Sequence, residues 1–423
     1  MDLGQLVDGE AVFSLNAAEL CCIARIGSLP GEVKVIMKIA QVAPLVESVP
    51  PLLYGGTERI ASYLTEELVR LGHDVTLFAS GDSITSAELV TCSPRALRLD
   101  PTVRDIVPHF LLMIDKVRER AEEFDVLHFH IELFHFPLFR SLAARTLTTL
   151  HGRQDLSDLK PFYSRFGEMP LISISDDQRK PLPHANFVAT IHHGIPVDQH
   201  APSFKQGSYL AFLGRISPEK RPDRAIRIAR AAGIQLKIAA KVDRVDEDYF
   251  RNEILPLIDG TDMEFIGEIN ERDKTKFLGE AAALLFPVDW PEPFGLVMIE
   301  AMACGTPVLA FRRGSVPEVI DDGITGNVVE SEQEAIAALP AILSYDRRAV
   351  RQRFEERFTA TRMAEDYVSA YRQSLRTRTS GGKTRSIRPR RHGLNGGTGI
   401  TQVSIEEPRL ALFKSGADSE VPI

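Results

Sequence analysis

Cysteine is scarce in this chain, with four in 423 residues: Cys21, Cys22, Cys92 and Cys304. Their spacing offers neither the paired ligands of a structural zinc site nor the framework of a disulfide-stapled secreted domain, and a reducing cytoplasm is the expected compartment. No apolar run approaches the ~20 residues that a membrane-spanning helix needs. Charge of one sign is not in excess either. Fifty basic against 58 acidic residues, a net charge of -8, removes the general electrostatic case for nucleic acid. The G-x-G-x-x-G fingerprint is absent after the first candidate strand, which argues against a nicotinamide dinucleotide site. A solenoid repeat is also absent.

What is present reads as two α/β halves in tandem, since 423 residues suit two domains of roughly 150 to 200 residues plus extensions. The first, residues 37–200, opens on a strand within Val35 to Val42. It passes a Gly/Pro-rich loop and enters a helix from Thr57 to Leu71 that Gly72 ends. Further candidate strands are Val75 to Phe78, Val126 to Phe129, Thr146 to Leu150, Leu171 to Ile174 and Phe187 to Ile191. The second half, residues 201–375, starts at Tyr209 to Leu213. A helix from Pro222 to Ala232 stopped by Gly233 follows, with strands at Leu236 to Ala239, Met263 to Ile266, Leu284 to Phe286 and Val308 to Phe311. Runs this short and apolar, separated by helix-length segments, predict parallel sheets covered on both faces. Pro196 to Gly207 is the expected hinge.

The flanks differ in composition. Residues 1–36 carry acids early and lack the basic-then-apolar order of a signal peptide, and are expected to be a poorly ordered extension. Residues 376–423 form a basic and then mixed tail. With no acid from Arg372 to His392 it reads as solvated and disordered, dispensable for catalysis and without a nucleic-acid partner.

The chemistry concentrates in Pro291-Glu292-Pro293-Phe294-Gly295-Leu296, which carries the chain from a buried strand into a helix that Gly305 ends. The prolines force a constrained turn, and Gly295 lets the backbone approach a ligand where the helix opens. Unpaired N–H groups and the positive helix end favour phosphate there, while Glu292 and Glu300 can accept hydrogen bonds from sugar hydroxyls. Gly55 and Gly56 stand at the start of the first helix and offer a second close approach to phosphate. Arg215 and Lys220, in Gly214-Arg215-Ile216-Ser217-Pro218-Glu219-Lys220, can neutralise a nucleotide diphosphate; surface charge is the plainer alternative. His151 follows a strand, where a histidine is usually structural. His128 and His130 alternate along the preceding strand, and either could line an acceptor pocket. A zinc site from His128, His130, His192 and His193 lacks ligand spacing. Asp246-Glu247-Asp248 reads as a solvated loop rather than a metal cage.

Glu-x7-Glu from Glu292 to Glu300, with Phe294-Gly295-Leu296 inside it and Ala301-Met302-Ala303-Cys304-Gly305-Thr306-Pro307-Val308 after it, closely resembles the retaining family 4 glycosyltransferases of the GT-B fold. The resemblance covers about Ile39 to Tyr371 and is strongest from Gly214 to Val329. It implies two Rossmann-like domains facing across a cleft, with the acceptor on the first and the donor on the second. It also implies that part of residues 347–375 crosses back over the first domain. The implied activity is transfer of a sugar from a nucleotide-diphosphate sugar, the co-substrate, to an unidentified sugar, lipid-linked or small-molecule acceptor. Configuration would be retained, with no metal and no cofactor, and peripheral membrane contact is compatible with it. By the same resemblance Glu300 would hold the ribose hydroxyls. Glu292 and the backbone of Phe294, Gly295 and Leu296 would hold the donor sugar, Arg215 and Lys220 the diphosphate, and Gly55 and Gly56 would reach across to it. His151 would lie beside the anomeric carbon, and His193 stands where the family commonly has asparagine. A sugar-nucleotide epimerase of the same shape and a non-catalytic nucleotide-sugar binder are the alternative readings.

Overall fold

A computed structural model describes residues 35–52 and 54–380. The expectations for the N-terminal extension before residue 35 and for the tail beyond residue 380 fall outside the described residues.

The first half is a seven-stranded parallel sheet. Strand β1 (Lys38–Val42) leads into helix α1 (Gly56–Arg70), whose Ile60, Ala61, Leu64 and Leu68 recur at helical spacing on the buried face. Strands β2 (Asp74–Ser80), β3 (Glu88–Ser93), β4 (Val126–Phe129), β5 (Thr146–Thr149), β6 (Leu171–Ser173) and β7 (Phe187–Thr190) follow. Their spatial order is β3-β2-β1-β4-β5-β6-β7. The second half is a six-stranded parallel sheet of β8 (Tyr209–Ile216), β9 (Leu236–Val242), β10 (Met263–Gly267), β11 (Ala281–Phe286), β12 (Val308–Phe311) and β13 (Gly326–Val329). Its order is β10-β9-β8-β11-β12-β13. Helices α2 (Pro222–Ala232), α3 (Glu271–Gly279) and α4 (Leu296–Ala303) connect these strands. In both sheets the order reverses beside the first strand, between β1 and β4 and between β8 and β11. Loops at such a switch point leave a crevice at the carboxyl ends of the strands.

The expected strands, six and five, fall one short of the observed count in each sheet. Strand β3 is a half-exposed edge whose residues alternate in character, and β13 is a four-residue edge that opens on Gly326, so neither carries a continuous apolar run. Two readings need correction. His128 and His130 lie on the same side of β4, as a two-residue repeat demands, with ring centroids 4.2 Å apart. Asp246-Glu247-Asp248 is not a loop but a helical turn.

The chain passes between the sheets twice, side by side. Ile195 N donates to Phe358 O at 2.9 Å and Ala360 N to Ile195 O at 2.8 Å. A side chain on Gly194 would put its first carbon 2.1 Å from Thr359 O, so only glycine permits the approach. The second passage joins helix α5 (Arg347–Arg357) to α6 (Ala360–Ser380), which returns to the first sheet. Met363, Ala364, Tyr367 and Tyr371 there pack with Met37, Ile39, Ile60 and Val126 in one buried cluster.

Tyr367 is fully buried and its hydroxyl meets Thr149 Oγ1 at 2.9 Å. Tyr367→Ala is expected to cost about 3–5 kcal/mol, as other aromatic truncations in cores do. Urea unfolding followed by circular dichroism measures it; a loss under about 1 kcal/mol would mean that α6 does not hold the first core together.

Candidate active site

Strand β11 runs buried to Phe286 and the chain then turns through 287–295 before α4. Gly295 caps α4 at φ 82°, a conformation that costs a side-chain-bearing residue energy and glycine little. The loop is braced from both halves. Ser315 N donates to Glu292 O at 2.9 Å, Ser315 Oγ to Phe294 O at 2.8 Å, and Ser175 Oγ of the first half to Pro293 O at 2.7 Å. Glu318 of the second half accepts from Asp176 N at 2.7 Å, Asp177 N at 2.8 Å and His192 Nε2 at 3.2 Å. Burial pushes the Glu318 carboxyl up, but His192 and the two amides more than offset this and leave it below its ordinary value.

The two motif carboxylates are both buried and each has a cation. Glu292 accepts from Lys220 Nζ at 2.5 Å and from Trp290 Nε1 at 2.8 Å. The Lys220 ammonium also lies 4.8 Å from the Trp290 ring centroid, within cation–π range. Glu300 accepts from Lys274 Nζ of α3 at 2.8 Å, and the same ammonium lies 2.6 Å from Glu271, which Arg59 of α1 reaches at 2.9 Å. This line of charges therefore runs from the first half to the second. Burial raises the Glu300 carboxyl, and Lys274, with smaller pulls from His200 and Arg59, brings it below its usual value.

Arg215 lies at the end of β8 within reach of three carboxylates: Glu219 at 3.0 Å, Asp243 at 3.3 Å and Asp246 at 4.0 Å. Its Nε is buried without a hydrogen-bond partner, a donor that an anion would satisfy. Asp246 is thus partly drawn to Arg215, Glu247 pairs with Arg251 and Asp248 is exposed, so the acidic string does not converge on one point. Gly56 starts α1 against α4, where a side-chain carbon would sit 3.5 Å from Leu296 Cδ1. That places the Gly55-Gly56 turn at the phosphate-favouring end of the second helix.

His151 follows β5. Its backbone N–H and that of Gly152 donate to Glu132 Oε1 at 2.7 and 2.9 Å. Glu132 holds a left-handed φ of 51°, uncommon without glycine, and these bonds repay the strain. The imidazole meets His130 Nδ1 through Nε2 at 2.9 Å and stacks on His193 with centroids 5.2 Å apart; His193 in turn edges against Phe294 at 5.0 Å. Burial drives His151 down to about 3 and lowers His130 and His193 well below their usual range, so all three are neutral. His128 faces Tyr371 and Thr149, and His192 faces Glu318, so the four histidines weighed as a zinc site do not point at a common centre.

Among the described residues one group has metal-ligand proximity, His200 with Glu271 and Glu300. Lys274 and Arg59 already neutralise both carboxylates, which argues against a divalent ion there. Sequence reading missed Lys274, Glu271, Arg59, Glu132 and Gln41. Nothing in their local sequence marks them, because their partners lie far off along the chain.

Comparison with known proteins agrees with this fold. The family described as "Glycosyl transferases group 1" matches residues 198–359, and "Glycosyltransferase Family 4" matches residues 54–175. A phosphatidyl-myo-inositol mannosyltransferase of Mycobacterium leprae is 26% identical over 366 residues, 75% of this chain and 90% of that protein. A D-inositol 3-phosphate glycosyltransferase of Mycobacterium tuberculosis is 31% identical over 192 residues, covering 43% of this chain and only 38% of that protein. Among solved structures, AviGT4, a glycosyltransferase involved in avilamycin A biosynthesis, superposes with a TM-score of 0.62 at 23% identity over 80% of this chain and 98% of its own. HepE of Anabaena, in complex with UDP and glucose, also gives 0.62 at 16% identity over 80% and 100%. The fold and site thus define a GT-B glycosyltransferase. The chain belongs to glycosyltransferase family 4.

The depressed Glu300 carboxyl contributes stability that is complete above its unfolded value of about 4.3 and is lost as pH falls through its lower folded value. Lys274→Met leaves that carboxylate buried without its cation, and an expected cost of about 3–5 kcal/mol at pH 7 follows. Because burial alone then raises the carboxyl, protonation relieves the penalty, and the gap between variant and wild type should narrow from pH 7 to pH 4. Urea titrations at both values check this; a gap independent of pH would contradict the ion pair.

Proposed function

We propose that this glycosyltransferase takes its sugar from a nucleoside-diphosphate sugar, hands it to a hydroxyl acceptor with retention of configuration, and needs no metal. The observation that carries the reading is the Lys220–Glu292 contact at 2.5 Å, which brings the cationic turn after β8 and the Glu-x7-Glu loop after β11 together at the switch point of one sheet. A diphosphate bound there meets Lys220 and Arg215, and a sugar attached to it lies beside Glu292 and the α4 start. Glu300, one helix turn and more deeper, accepts from the ribose hydroxyls.

Neither motif carboxylate stands free to attack the anomeric carbon: Glu292 is engaged by Lys220 and Trp290, and Glu300 by Lys274. The reading is therefore front-face attack. The glycosidic C–O bond to phosphate breaks as the acceptor oxygen approaches the same face, the acceptor proton passes to the departing phosphate, and the fixed cations stabilise the charge on it. HepE, of the same fold, was solved with UDP and glucose, which supports a nucleotide-linked donor. The names of both mycobacterial relatives carry inositol, so cyclic polyols join sugars as acceptor candidates.

The test is a panel of UDP-, GDP- and ADP-sugars scored first by thermal protection and then by turnover with sugar and polyol acceptors. Arg215→Ala should cost on the order of 3 kcal/mol of transition-state stabilisation, a rate loss of a hundredfold or more, while EDTA should change nothing. Loss of activity in EDTA, restored by Mg²⁺, with Arg215→Ala nearly intact, would reverse the assignment.

The two carboxylates should also separate kinetically. Glu300→Gln is expected to weaken donor binding, because the ribose stays put through the reaction, whereas Glu292→Gln should mainly lower kcat. Calorimetry that gave Glu300→Gln the wild-type donor affinity would remove the ribose role.

A further inference from the structure

Position and proton are separate questions for His151. Its position is settled by Glu132, which holds the backbone, and by His193, which stacks on the ring. Its Nε2 is spoken for by His130, while its Nδ1 has no hydrogen-bond partner among the described residues. What a ligand meets at Nδ1 depends on which nitrogen carries the single proton of a neutral imidazole.

The neighbours decide it. Gln41 of β1 turns its amide oxygen to His130 Nε2 at 2.8 Å. An amide oxygen has no proton to give, so His130 Nε2 must be the donor. The same amide turns its Nε2 to Tyr371 OH at 3.1 Å, to which it donates, and to His128 Nδ1 at 3.3 Å. With its one proton on Nε2, neutral His130 can only accept at Nδ1, and His151 must therefore donate from Nε2. The Nδ1 of His151 is left with its lone pair.

We propose that His130, oriented by Gln41 and Tyr371, is a positioning residue that fixes His151 in the Nε2–H tautomer, so that Nδ1 presents a lone pair to a sugar hydroxyl. The proposal rests on the reading that His151 stands beside the transferred sugar. Its consequence is that the site accepts a hydrogen bond at this point and rejects a ligand whose only partner there is another acceptor. It also ties the donor site to the last described helix: the path His151–His130–Gln41–Tyr371 ends on α6, with Gln41 and Tyr371 separated by 330 positions in sequence. Burial keeps both imidazoles neutral, which the tautomer argument needs.

Long-range ¹H–¹⁵N correlation on protein labelled in histidine nitrogen reads the tautomer directly, without any substrate. His151 is expected as Nε2–H in wild type. His130→Asn places an amide oxygen where the imidazole Nδ1 was and should keep that form; His130→Leu removes the acceptor and should let the Nδ1–H form appear. With UDP-glucose, GDP-mannose and ADP-glucose each tested for nucleoside-diphosphate release, kcat should fall about tenfold or more in His130→Leu and largely recover in His130→Asn. Donor KM should stay within about twofold in both. An Nδ1–H signal for His151 in wild type overturns the proposal whatever the variants do, and so does an equal kcat loss in both variants with the tautomer unchanged. Absence of turnover with any donor counts against the proposed donor class instead, since the nitrogen signals stand without it.

Discussion

The arrangement of this enzyme depends on a place where no side chain fits. At Gly194 the first passage between the two sheets touches the second at Thr359, and a single added carbon would collide with a backbone oxygen. The two strands of chain can then share hydrogen bonds, and arginines finish the joint. Arg362 spans the carbonyls of His192 and His193, and Arg351 reaches those of Val197, His200 and Ala303. Guanidinium forks suit this work, since their planar donors satisfy several buried carbonyls at once. From that joint follow the facing of the two switch points and the return of α6 to the first core.

In the second half the site's charges are arranged as pairs that hold one another in place. Burying an ion pair is often no more stabilising than apolar packing of the same volume, so stability is a weak account of Lys220–Glu292 and Lys274–Glu300. Their geometry is a better one. Each carboxylate is fixed in direction by a cation and, at Glu292, by an indole N–H, so a ligand hydroxyl would meet an oriented acceptor rather than a mobile side chain. Arg215 is different: shared among three carboxylates and with one donor unsatisfied, it has a hydrogen bond left to give an incoming anion.

Much of this was legible in the sequence, for identifiable reasons. Val126–Phe129 and Val308–Phe311 are buried on both faces, so their apolar runs coincide with the strands, and Pro222 and Gly233 bound α2 by conformational rules that need no partner. Edge strands β3 and β13 lack that double burial and left no such run. At the site, motif residues near one another in sequence could be read together, as with Glu292 and Glu300. The residues that orient them could not: Lys274 meets Glu300 only because α3 and α4 pack, and Gln41 meets His130 only because β1 and β4 are neighbours in the sheet. The same pleat that puts His128 and His130 on one side of β4 brings both to the Gln41 amide, although each reads alone as an ordinary core histidine.

The return of α6 has a bearing on biosynthesis as well. A chain emerging amino end first has all seven strands of its first sheet available long before Tyr367 and Tyr371, yet those rings are part of the layer that covers Met37, Ile39 and Val126. Until they arrive, the cluster around those strands has α1 against it but lacks its α6 side, so the core of the first half is completed only after the second half has been made. The enzyme is built with the order of its domains in the gene but closed in the reverse order, its oldest strands being sealed by its last described helix.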